Sequence, residues 1–280
     1  MKAPAPLRTK DLAEVPGVLG TIARERAGDY AGERTPDAVA PDGADPARLP
    51  NALRAPGLSV MAEIKRGSPS AGTIAPLDPV RAARAYQRGG AAALSVLTEP
   101  RHFGGSLTHL QRVAEVSELP VMRKEFVVHP LQVAEAADAG ADGVLLIAAV
   151  LGPALADYLA YARAFGLAAL VEVHGEAELD AALAAGTELL GVNNRDLGTL
   201  EVDLNVAPRL LSHARAAGFE GVSVAESGYA RAEELRPLRG VADAVLIGTS
   251  LAGSEDLEVA LRTLREGLDA GEEGAPNDRS

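Results

Sequence analysis

Residues 58–72 have the sequence LSVMAEIKRGSPSAG. An apolar run typical of a buried strand ends in Glu63 and Lys65, and a loop rich in Ser, Gly and Pro follows it. Because side chains alternate along a strand, Glu63 and Lys65 are expected to point to the same side. The stretch therefore predicts active-site residues at the end of this strand.

This strand opens a regular alternation with amphipathic segments. The candidate strands are apolar throughout and comprise Leu58–Ile64, Ala92–Leu97, Pro120–Arg123, Gly143–Ala148, Ala169–Val173, Leu189–Val192, Val222–Ala225 and Ala244–Ile247. The predicted helices are Pro79–Arg88, Leu107–Ser117, Pro130–Ala139, Pro153–Phe165, Glu176–Ala185, Asn205–Ala217, Arg231–Leu238 and Leu257–Leu268. Eight such units favour an α/β fold of the (β/α)8 TIM barrel type over a doubly wound sheet. The first strand is not followed by Gly-x-Gly-x-x-Gly, which argues against dinucleotide binding.

The two ends of the chain differ from this pattern. Residues 1–57 are interpreted as an N-terminal helical extension, with helical spacing in Val15 to Tyr30 and a loop from Thr35 to Pro50. Residues 58–270 form the predicted barrel domain. Residues 271–280 are polar and are expected to be a flexible tail.

Composition excludes several classes of protein. The chain has 47% apolar residues, no cysteine and a formal net charge of −12. Nucleic acid and anionic membrane are therefore not expected as partners, and disulfides and thiolate chemistry are excluded. No secretory signal and no membrane-spanning run is present in the sequence, so a cytoplasmic protein is expected. An anionic small molecule can still bind where cations are concentrated, and Lys65, Lys124 and Arg195 are candidates.

Lysine is rare in this chain. Of 27 basic residues only four are lysines, and two of these, Lys65 and Lys124, follow apolar strand-like runs. A lysine can shift its pKa or lose its proton where an arginine in practice cannot, so both are interpreted as residues for proton chemistry. The alternative is chance retention in an arginine-biased composition.

Polar residues follow nearly every predicted strand, at the barrel end where active sites form. Only the fourth strand lacks them. The last two strands are followed by Ala225-Glu-Ser-Gly228 and Ile247-Gly-Thr-Ser250, which combine small residues with free backbone N–H groups. Loops seven and eight of such barrels commonly bind phosphate, so a phosphate site is predicted there.

The motifs together resemble one enzyme family. They are, in chain order, Glu63-Ile-Lys-Arg66 with Ser68-Pro-Ser70, Val96-Leu-Thr-Glu99, Arg123-Lys-Glu-Phe126, Leu170-Val-Glu-Val173, Gly191-Val-Asn-Asn-Arg-Asp-Leu197 and Ala225-Glu-Ser-Gly228. This series, from about Leu58 to Leu251, is similar to that of indole-3-glycerol phosphate synthase. The resemblance implies conversion of 1-(2-carboxyphenylamino)-1-deoxyribulose 5-phosphate to indole-3-glycerol phosphate in tryptophan biosynthesis, with loss of CO₂ and water.

The resemblance also implies roles for single residues. Lys124 is the expected general acid for ring closure, Glu172 the carboxylate that stabilises the charged intermediate or passes protons, and Glu63 with Lys65 the pair that assists dehydration. Expected substrate-binding residues are Ser68, Phe103, Phe126, Asn193, Arg195, Leu197, Glu226, Ser227, Gly228, Gly248 and Thr249. No cofactor and no metal are expected, and the protein is expected to be a monomer or weak homodimer. The five histidines show no ligand spacing and are interpreted as loop or helix-surface residues.

The chain departs from the family pattern at three positions. Ala71 stands where a loop lysine is usual, Glu125 where an aspartate is usual, and Thr249 where serine is common. Ala71 is expected to affect loop closure or turnover rate.

Three other functions are alternatives for a barrel of this kind. Phosphoribosylanthranilate isomerase is expected to use a cysteine, which this chain lacks. A Schiff-base aldolase would use Lys65 or Lys124 as its nucleophile. A barrel that only binds a phosphorylated ligand would not need the combination of Glu63, Lys65, Lys124 and Glu172.

Overall fold

Eight parallel strands close into a barrel in the computed structural model, which describes residues 1–68, 72–73, 77–196 and 198–269. The strands are β1 (Ser59–Ile64), β2 (Ala93–Leu97), β3 (Val121–Lys124), β4 (Gly143–Ile147), β5 (Ala168–Val173), β6 (Leu189–Asn193), β7 (Val222–Glu226) and β8 (Ala244–Ile247). Each strand pairs with its neighbours in sequence, and β8 closes the barrel on β1 with Ser59 opposite Ala244. The predicted (β/α)8 barrel is confirmed.

Helices surround this barrel and cover its two ends. They are α1 (Gly17–Asp29), α2 (Arg48–Leu53), α3 (Pro79–Arg88), α4 (Leu107–Ala114), α5 (Pro130–Asp138), α6 (Ala148–Leu151), α7 (Leu155–Ala164), α8 (Glu176–Ala184), α9 (Val206–Ala216), α10 (Ala232–Leu235), α11 (Thr249–Ala252) and α12 (Leu257–Asp269). Short 3₁₀ turns lie at Thr9–Leu12, Gly152–Ala154 and Arg236–Leu238. Two-residue strands Gly67–Ser68 and Gly72–Thr73 pair antiparallel after β1. In the described part of the chain, no helix is long and apolar enough to cross a membrane.

Several helices begin at a side chain that accepts a backbone hydrogen bond. Asp78 caps α3 through the N–H of Arg81 at 2.9 Å, and Ser106 caps α4 through that of His109 at 3.1 Å. His129 caps α5, where its Nδ1 accepts from the N–H of Leu131 at 3.1 Å. His129 lies in the loop before α5, as interpreted from the sequence, and it is buried there.

Alternation along each strand separates two cores. On β1, Val60 and Ala62 pack against the surrounding helices, whereas Met61 packs inside the barrel. Glu63 follows Met61 on the inward face, two residues nearer the strand end. The same alternation places inward-facing polar residues at the carboxyl ends of the strands, above an apolar interior.

The N-terminal extension contacts both ends of the barrel. Helix α1 lies at the carboxyl end of the strands. Further along the extension, the carbonyl of Pro36 accepts a hydrogen bond from the hydroxyl of Tyr161 on α7 at 2.5 Å. Helix α2 lies at the opposite end, where a Cβ on Gly143 would come within 2.6 Å of Leu49. The loop predicted from residue 35 to 50 is therefore wrong at its end, because α2 begins at Arg48. The division into domains at residues 57 and 270 stays a prediction.

Candidate active site

A cavity of about 560 Å³ opens at the carboxyl end of the strands. It is lined by most of the residues that the sequence predicted for the site, namely Glu63, Lys65, Phe103, Lys124, Phe126, Glu172, Asn193, Arg195, Ser227, Gly228, Gly248 and Thr249. These residues come from seven of the eight strand ends, which are far apart in the chain. The fourth strand contributes the apolar side chains of Leu145 and Ile147.

Lys124 lies at the centre of a buried cluster of charges. Its Nζ is 2.8 Å from Oε2 of Glu226, 3.7 Å from Oε2 of Glu63 and 3.8 Å from Oε2 of Glu172. The second lysine, Lys65, lies 2.7 Å from Oε1 of Glu63. Alternation on β1 predicted that Glu63 and Lys65 share a side, and the ion pair is consistent with that prediction. Glu226 is fully buried under Lys124, so its contact is with the lysine and not with the cavity.

The cluster shifts the protonation equilibria of its members. Burial lowers the pKa of Lys124, but the carboxylates of Glu226, Glu63 and Glu172 raise it further than burial lowers it. Burial raises the pKa of Glu63, and the two lysines more than offset this, so that the pKa is lowered. Lys124 is therefore an ammonium and Glu63 a carboxylate at neutral pH.

Two glycines make room for the carboxylates. A Cβ on Gly191 of β6 would lie 2.2 Å from Oε1 of Glu226, and one on Gly248 would lie 2.2 Å from Oε1 of Glu63. The second would also approach Nζ of Lys65 to 3.0 Å. Gly248 was predicted as a substrate-binding residue, and the structure adds that its missing side chain accommodates the Glu63–Lys65 pair.

Two aromatic rings form one wall of the cavity. The centroids of Phe103 and Phe126 are 5.9 Å apart with the planes tilted by 34°. The buried carboxylate of Glu99 accepts hydrogen bonds from the backbone N–H groups of Arg101, His102 and Phe103 at 2.9, 2.7 and 3.1 Å. This turn fixes the position of Phe103 over the cavity.

The loops after β7 and β8 line the cavity next to each other. Ser227 has φ +67° and Gly228 has φ +92°, so two consecutive residues adopt left-handed conformations. Asn194 holds this turn, because its Nδ2 donates to the carbonyl of Ser227 at 3.0 Å. Gly228 is required by packing as well, since a Cβ there would lie 2.5 Å from Cγ1 of Val202.

Asn193 and Arg195 lie at the end of β6. The side-chain oxygen of Asn193 accepts from the backbone N–H of Arg195 at 2.9 Å. The guanidinium of Arg195 donates to the carbonyl of Leu200 at 2.8 Å and lines the cavity. The backbone of the β6 loop thus holds the arginine at the rim of the cavity.

Helix α1 forms part of the cavity wall. Val18, Leu19 and Ile22 line the cavity beside the barrel residues. The sequence predicted the helical spacing from Val15 to Tyr30, but no motif connected it with the site.

A buried salt bridge ties α1 to β3. Nε and Nη2 of Arg26 donate to the two carboxylate oxygens of Glu125 at 3.2 and 3.1 Å. Glu125 also accepts from the hydroxyl of Thr98 at 2.9 Å, and Arg123 lies 3.5 Å away. Because Glu125 follows Lys124 directly, the helix is coupled to the strand end that carries the central lysine.

His174 is a site residue that the sequence interpretation missed. It follows Val173 at the end of β5, and its Nε2 lies 3.3 Å from Oε1 of Glu172. It lies in the loop between β5 and α8, which agrees with its interpretation as a loop residue, but the sequence assigned it no part in the site. Its position two residues after Glu172, which extended backbone would place on the same side as Glu172, was a signal that could have identified it.

Some predicted residues lie outside the described part of the structure. Leu197 and the side chain of Ser68 are among them, and so is Ala71, with the tail 271–280. Among the described residues, no group of three ligating side chains is arranged to hold a metal ion. In the cluster above, ammonium groups lie between the carboxylates.

Comparison with known proteins identifies the family. The family model described as indole-3-glycerol phosphate synthase matches residues 37–264. An indole-3-glycerol phosphate synthase of Deinococcus radiodurans is 56% identical over 261 residues, which cover 91% of this chain and 97% of that protein. The chain belongs to the indole-3-glycerol phosphate synthase family. The synthase of Mycobacterium ulcerans is 48% identical over 216 residues, which cover 76% of this chain and 78% of that protein.

Solved structures of lower identity share the fold of this synthase family member. Tryptophan synthase subunit alpha from Legionella pneumophila has a TM-score of 0.59 at 16% identity, covering 80% of this chain and 98% of that one. Thiamine phosphate pyrophosphorylase from Pyrococcus furiosus has a TM-score of 0.57 at 17% identity, covering 79% and 98%. At these identities the likeness supports the barrel fold alone. The synthase family itself rests on the sequence matches, which agree with the resemblance found in the motifs.

Proposed function

We propose that this chain closes the indole ring of its family's substrate with Lys124, Glu172, Glu63 and Lys65 as its acid and base groups. The family activity is that of a carbon–carbon lyase in tryptophan biosynthesis. It converts 1-(2-carboxyphenylamino)-1-deoxyribulose 5-phosphate to indole-3-glycerol phosphate, CO₂ and water. The observation that carries the assignment is the position of Lys124, with three carboxylates within 3.8 Å at the base of the cavity.

Lys124 acts first in this proposal. The aromatic ring carbon attacks the ribulose carbonyl, whose oxygen becomes negative and takes up a proton. An ammonium held by three carboxylates is fixed in orientation and fully charged, so it stabilises this oxygen and donates its proton to it. Glu226, which lies 2.8 Å from Nζ, orients the lysine rather than contacting the substrate.

Dehydration follows the loss of CO₂. It needs a base that removes a proton and an acid that protonates the departing hydroxyl. Glu63 and Lys65, paired at 2.7 Å, supply one group of each kind on the same wall of the cavity. Glu172 faces Lys124 from β5 and stabilises the cationic intermediate that precedes decarboxylation.

The remaining cavity residues bind the substrate in this proposal. Phe103 and Phe126 enclose the aromatic ring together with the apolar face of α1. Arg195 or Lys65 faces the anthranilate carboxylate, and Asn193 contacts polar groups of the sugar. The phosphate occupies the wall formed by Ser227, Gly228, Gly248 and Thr249, with Ser68 from the first loop. The volume of the whole cavity, about 560 Å³, lies within the range of small-molecule sites, about 300–1,000 Å³.

Turnover of this substrate tests the assignment. Formation of indole product is followed by fluorescence without added metal, against a low background because the chain has no tryptophan. Replacing Lys124 with Ala is expected to lower kcat by about 100-fold to 10,000-fold, the range for loss of a general acid. Lys124→Arg keeps a positive charge but cannot give up its proton in practice, so it is expected to remain strongly impaired.

The control is Lys10→Ala, which removes an exposed lysine of the N-terminal segment. It is expected to leave kcat unchanged. Folded wild type that binds the substrate without forming indole product would contradict the proposal and favour a ligand-binding barrel. Full activity in Lys124→Arg would instead show that the charge suffices and that the general-acid role is wrong.

We also propose that the protein is a cytoplasmic monomer or weak homodimer, with a phosphorylated small molecule as its partner. Among the described residues, the exposed large apolar side chains are Met1, Val39, Val202 and Val259, which are scattered along the chain. The absence of cysteine suits a reducing compartment. Sedimentation velocity at micromolar concentration tests the assembly state, and a concentration-independent dimer would contradict it.

A further inference from the structure

His174 lies between two carboxylates. Its Nε2 is 3.3 Å from Oε1 of Glu172, and its Nδ1 is 3.1 Å from Oε2 of Glu178 on α8. Glu178 also accepts the backbone N–H of His174 at 2.9 Å, so helix α8 fixes both the backbone and the ring. The contact with Glu172 is a close ion pair rather than an aligned hydrogen bond. With a carboxylate oxygen close to each ring nitrogen, the arrangement favours the doubly protonated imidazolium.

The electrostatics agree with this geometry. Burial lowers the pKa of His174, but Glu172 and Glu178 outweigh burial and raise it to about 10. The ring is therefore positively charged at neutral pH. Glu178 is partly exposed, so the charge lies between the solvent and the buried cluster.

The contact with His174 gives Glu172 a different electrostatic environment from that of Glu226. Both carboxylates are buried, and both lie near Nζ of Lys124, at 3.8 and 2.8 Å. Glu172 has a second cation in His174, whereas Oε1 of Glu226 has no hydrogen-bond partner among the described residues. Burial raises the pKa of each carboxyl, but His174 and Lys124 bring that of Glu172 below its usual value, whereas that of Glu226 stays raised.

The groups that face this pair come from several elements. Asp196, in the loop after β6, also has an electrostatic interaction with His174. Among the described residues, the titratable groups that interact with His174 or Glu172 include Glu178 on α8, Asp196 after β6, Lys124 on β3, Glu226 on β7 and Glu63 on β1. Among these, His174 and Lys124 are the cations that contact Glu172 directly.

We propose that His174 is a positioning residue of the active site: held by Glu178, it keeps Glu172 ionised beside Lys124. The inference rests on the proposed function in one respect, that Glu172 acts on the substrate as a carboxylate. Environments that separate two similar carboxyl groups assign them different roles in catalysis. His174 does not line the cavity among the described residues, so it acts through Glu172.

The first test is the pH profile of kcat. His174→Gln removes the charge, so the acid limb of the profile, where Glu172 is protonated, is expected to move up by about one pH unit. Below that limb kcat falls about tenfold, while KM at pH 8 changes by less than about threefold, because the substrate contacts remain. Glu178→Gln is expected to move the limb in the same direction by a smaller amount.

His213→Gln serves as the matched control, since His213 is exposed on α9. It is expected to leave kcat, KM and the pH profile unchanged. A His174→Gln enzyme whose kcat falls without any movement of the acid limb would show a structural role only, and would overturn the proposal. So would an enzyme indistinguishable from wild type.

A second measurement needs neither turnover nor a variant that folds well. Proton NMR of the wild type follows the ring signals of its five histidines, and His174 is expected to stay an imidazolium up to about pH 9. Titration of His174 near its ordinary value, about 6.5, would overturn the inference. Failure of the proposed function is recognised separately, because the wild type would then form no indole product whatever the NMR titration shows.

Discussion

Replacing Gly191 with Ala tests how closely the charge cluster is packed. The added Cβ would lie 2.2 Å from Oε1 of Glu226, whereas ordinary contact begins at 3.4 Å. The carboxylate must therefore retreat by about 1.2 Å, the difference between these two distances. Its other oxygen holds Nζ of Lys124 at 2.8 Å, and a shift of this size breaks that hydrogen bond.

The cost follows from these contacts. Overpacking of a buried site costs about 1–3 kcal/mol, and a lost hydrogen bond between charged groups costs about 1.5–3 kcal/mol. The reduced freedom of the unfolded chain returns about 0.4–1 kcal/mol when Gly becomes Ala. We expect Gly191→Ala to lower the free energy of unfolding by about 3 kcal/mol, and kcat to fall at least about tenfold as Lys124 loses its anchor.

Urea denaturation and the indole product assay measure the two effects. The matched control is Gly28→Ala in α1, where a new Cβ meets nothing within 4 Å, and it is expected to stabilise the protein by about 0.5–1 kcal/mol. Glu226→Asp shortens the displaced side chain, so the double variant with Gly191→Ala is expected to lose less than the two single variants together. Wild-type stability in Gly191→Ala, or strictly additive losses, would refute the reasoning.

Two further predictions concern ion pairs. Arg26→Met leaves the buried Glu125 without its bidentate partner and is expected to lower the free energy of unfolding, measured with urea, by about 3 kcal/mol. Arg231→Met breaks an exposed pair and is expected to cost less than about 1 kcal/mol. Equal losses in the two variants would contradict this prediction. Because the pKa of His174 is raised in the folded state, its contribution is complete below about pH 6.5 and is lost as the pH rises towards about 10. The stability difference between wild type and His174→Gln should therefore shrink over this interval in urea titrations, and a constant difference would be evidence against the charged ring.

The barrel was predictable because its signals are local. Each strand is a short apolar run, and all but the fourth end in polar residues that alternation places on the inward face, as for Glu63 on β1 and Lys65 just after it. Closure of the sheet then brings these ends together without further information. The scarcity of lysine marked Lys65 and Lys124, and both line the cavity.

The partners within the cluster were not predictable in the same way. Lys124 and Glu226 are 102 residues apart, and their contact depends on barrel register and on the missing side chain of Gly191. His174 was overlooked because the histidines show no metal-ligand spacing, and its charge depends on a contact with Glu178 in the first turn of α8. Sequence alternation indicates which side chains share the site but not which atoms they contact.

Glu125 shows how a departure from the family pattern acquires a physical reason. The position was recognised because aspartate is usual there, and the sequence assigned the change no consequence. In the structure both carboxylate oxygens accept from Arg26, at 3.2 and 3.1 Å. An aspartate would withdraw the carboxylate by about 1.5 Å, one carbon–carbon bond, beyond hydrogen-bonding distance of the guanidinium. The longer side chain of Glu125 and Arg26 of α1 thus form a salt bridge that joins helix α1, part of the cavity wall, to the strand that carries Lys124.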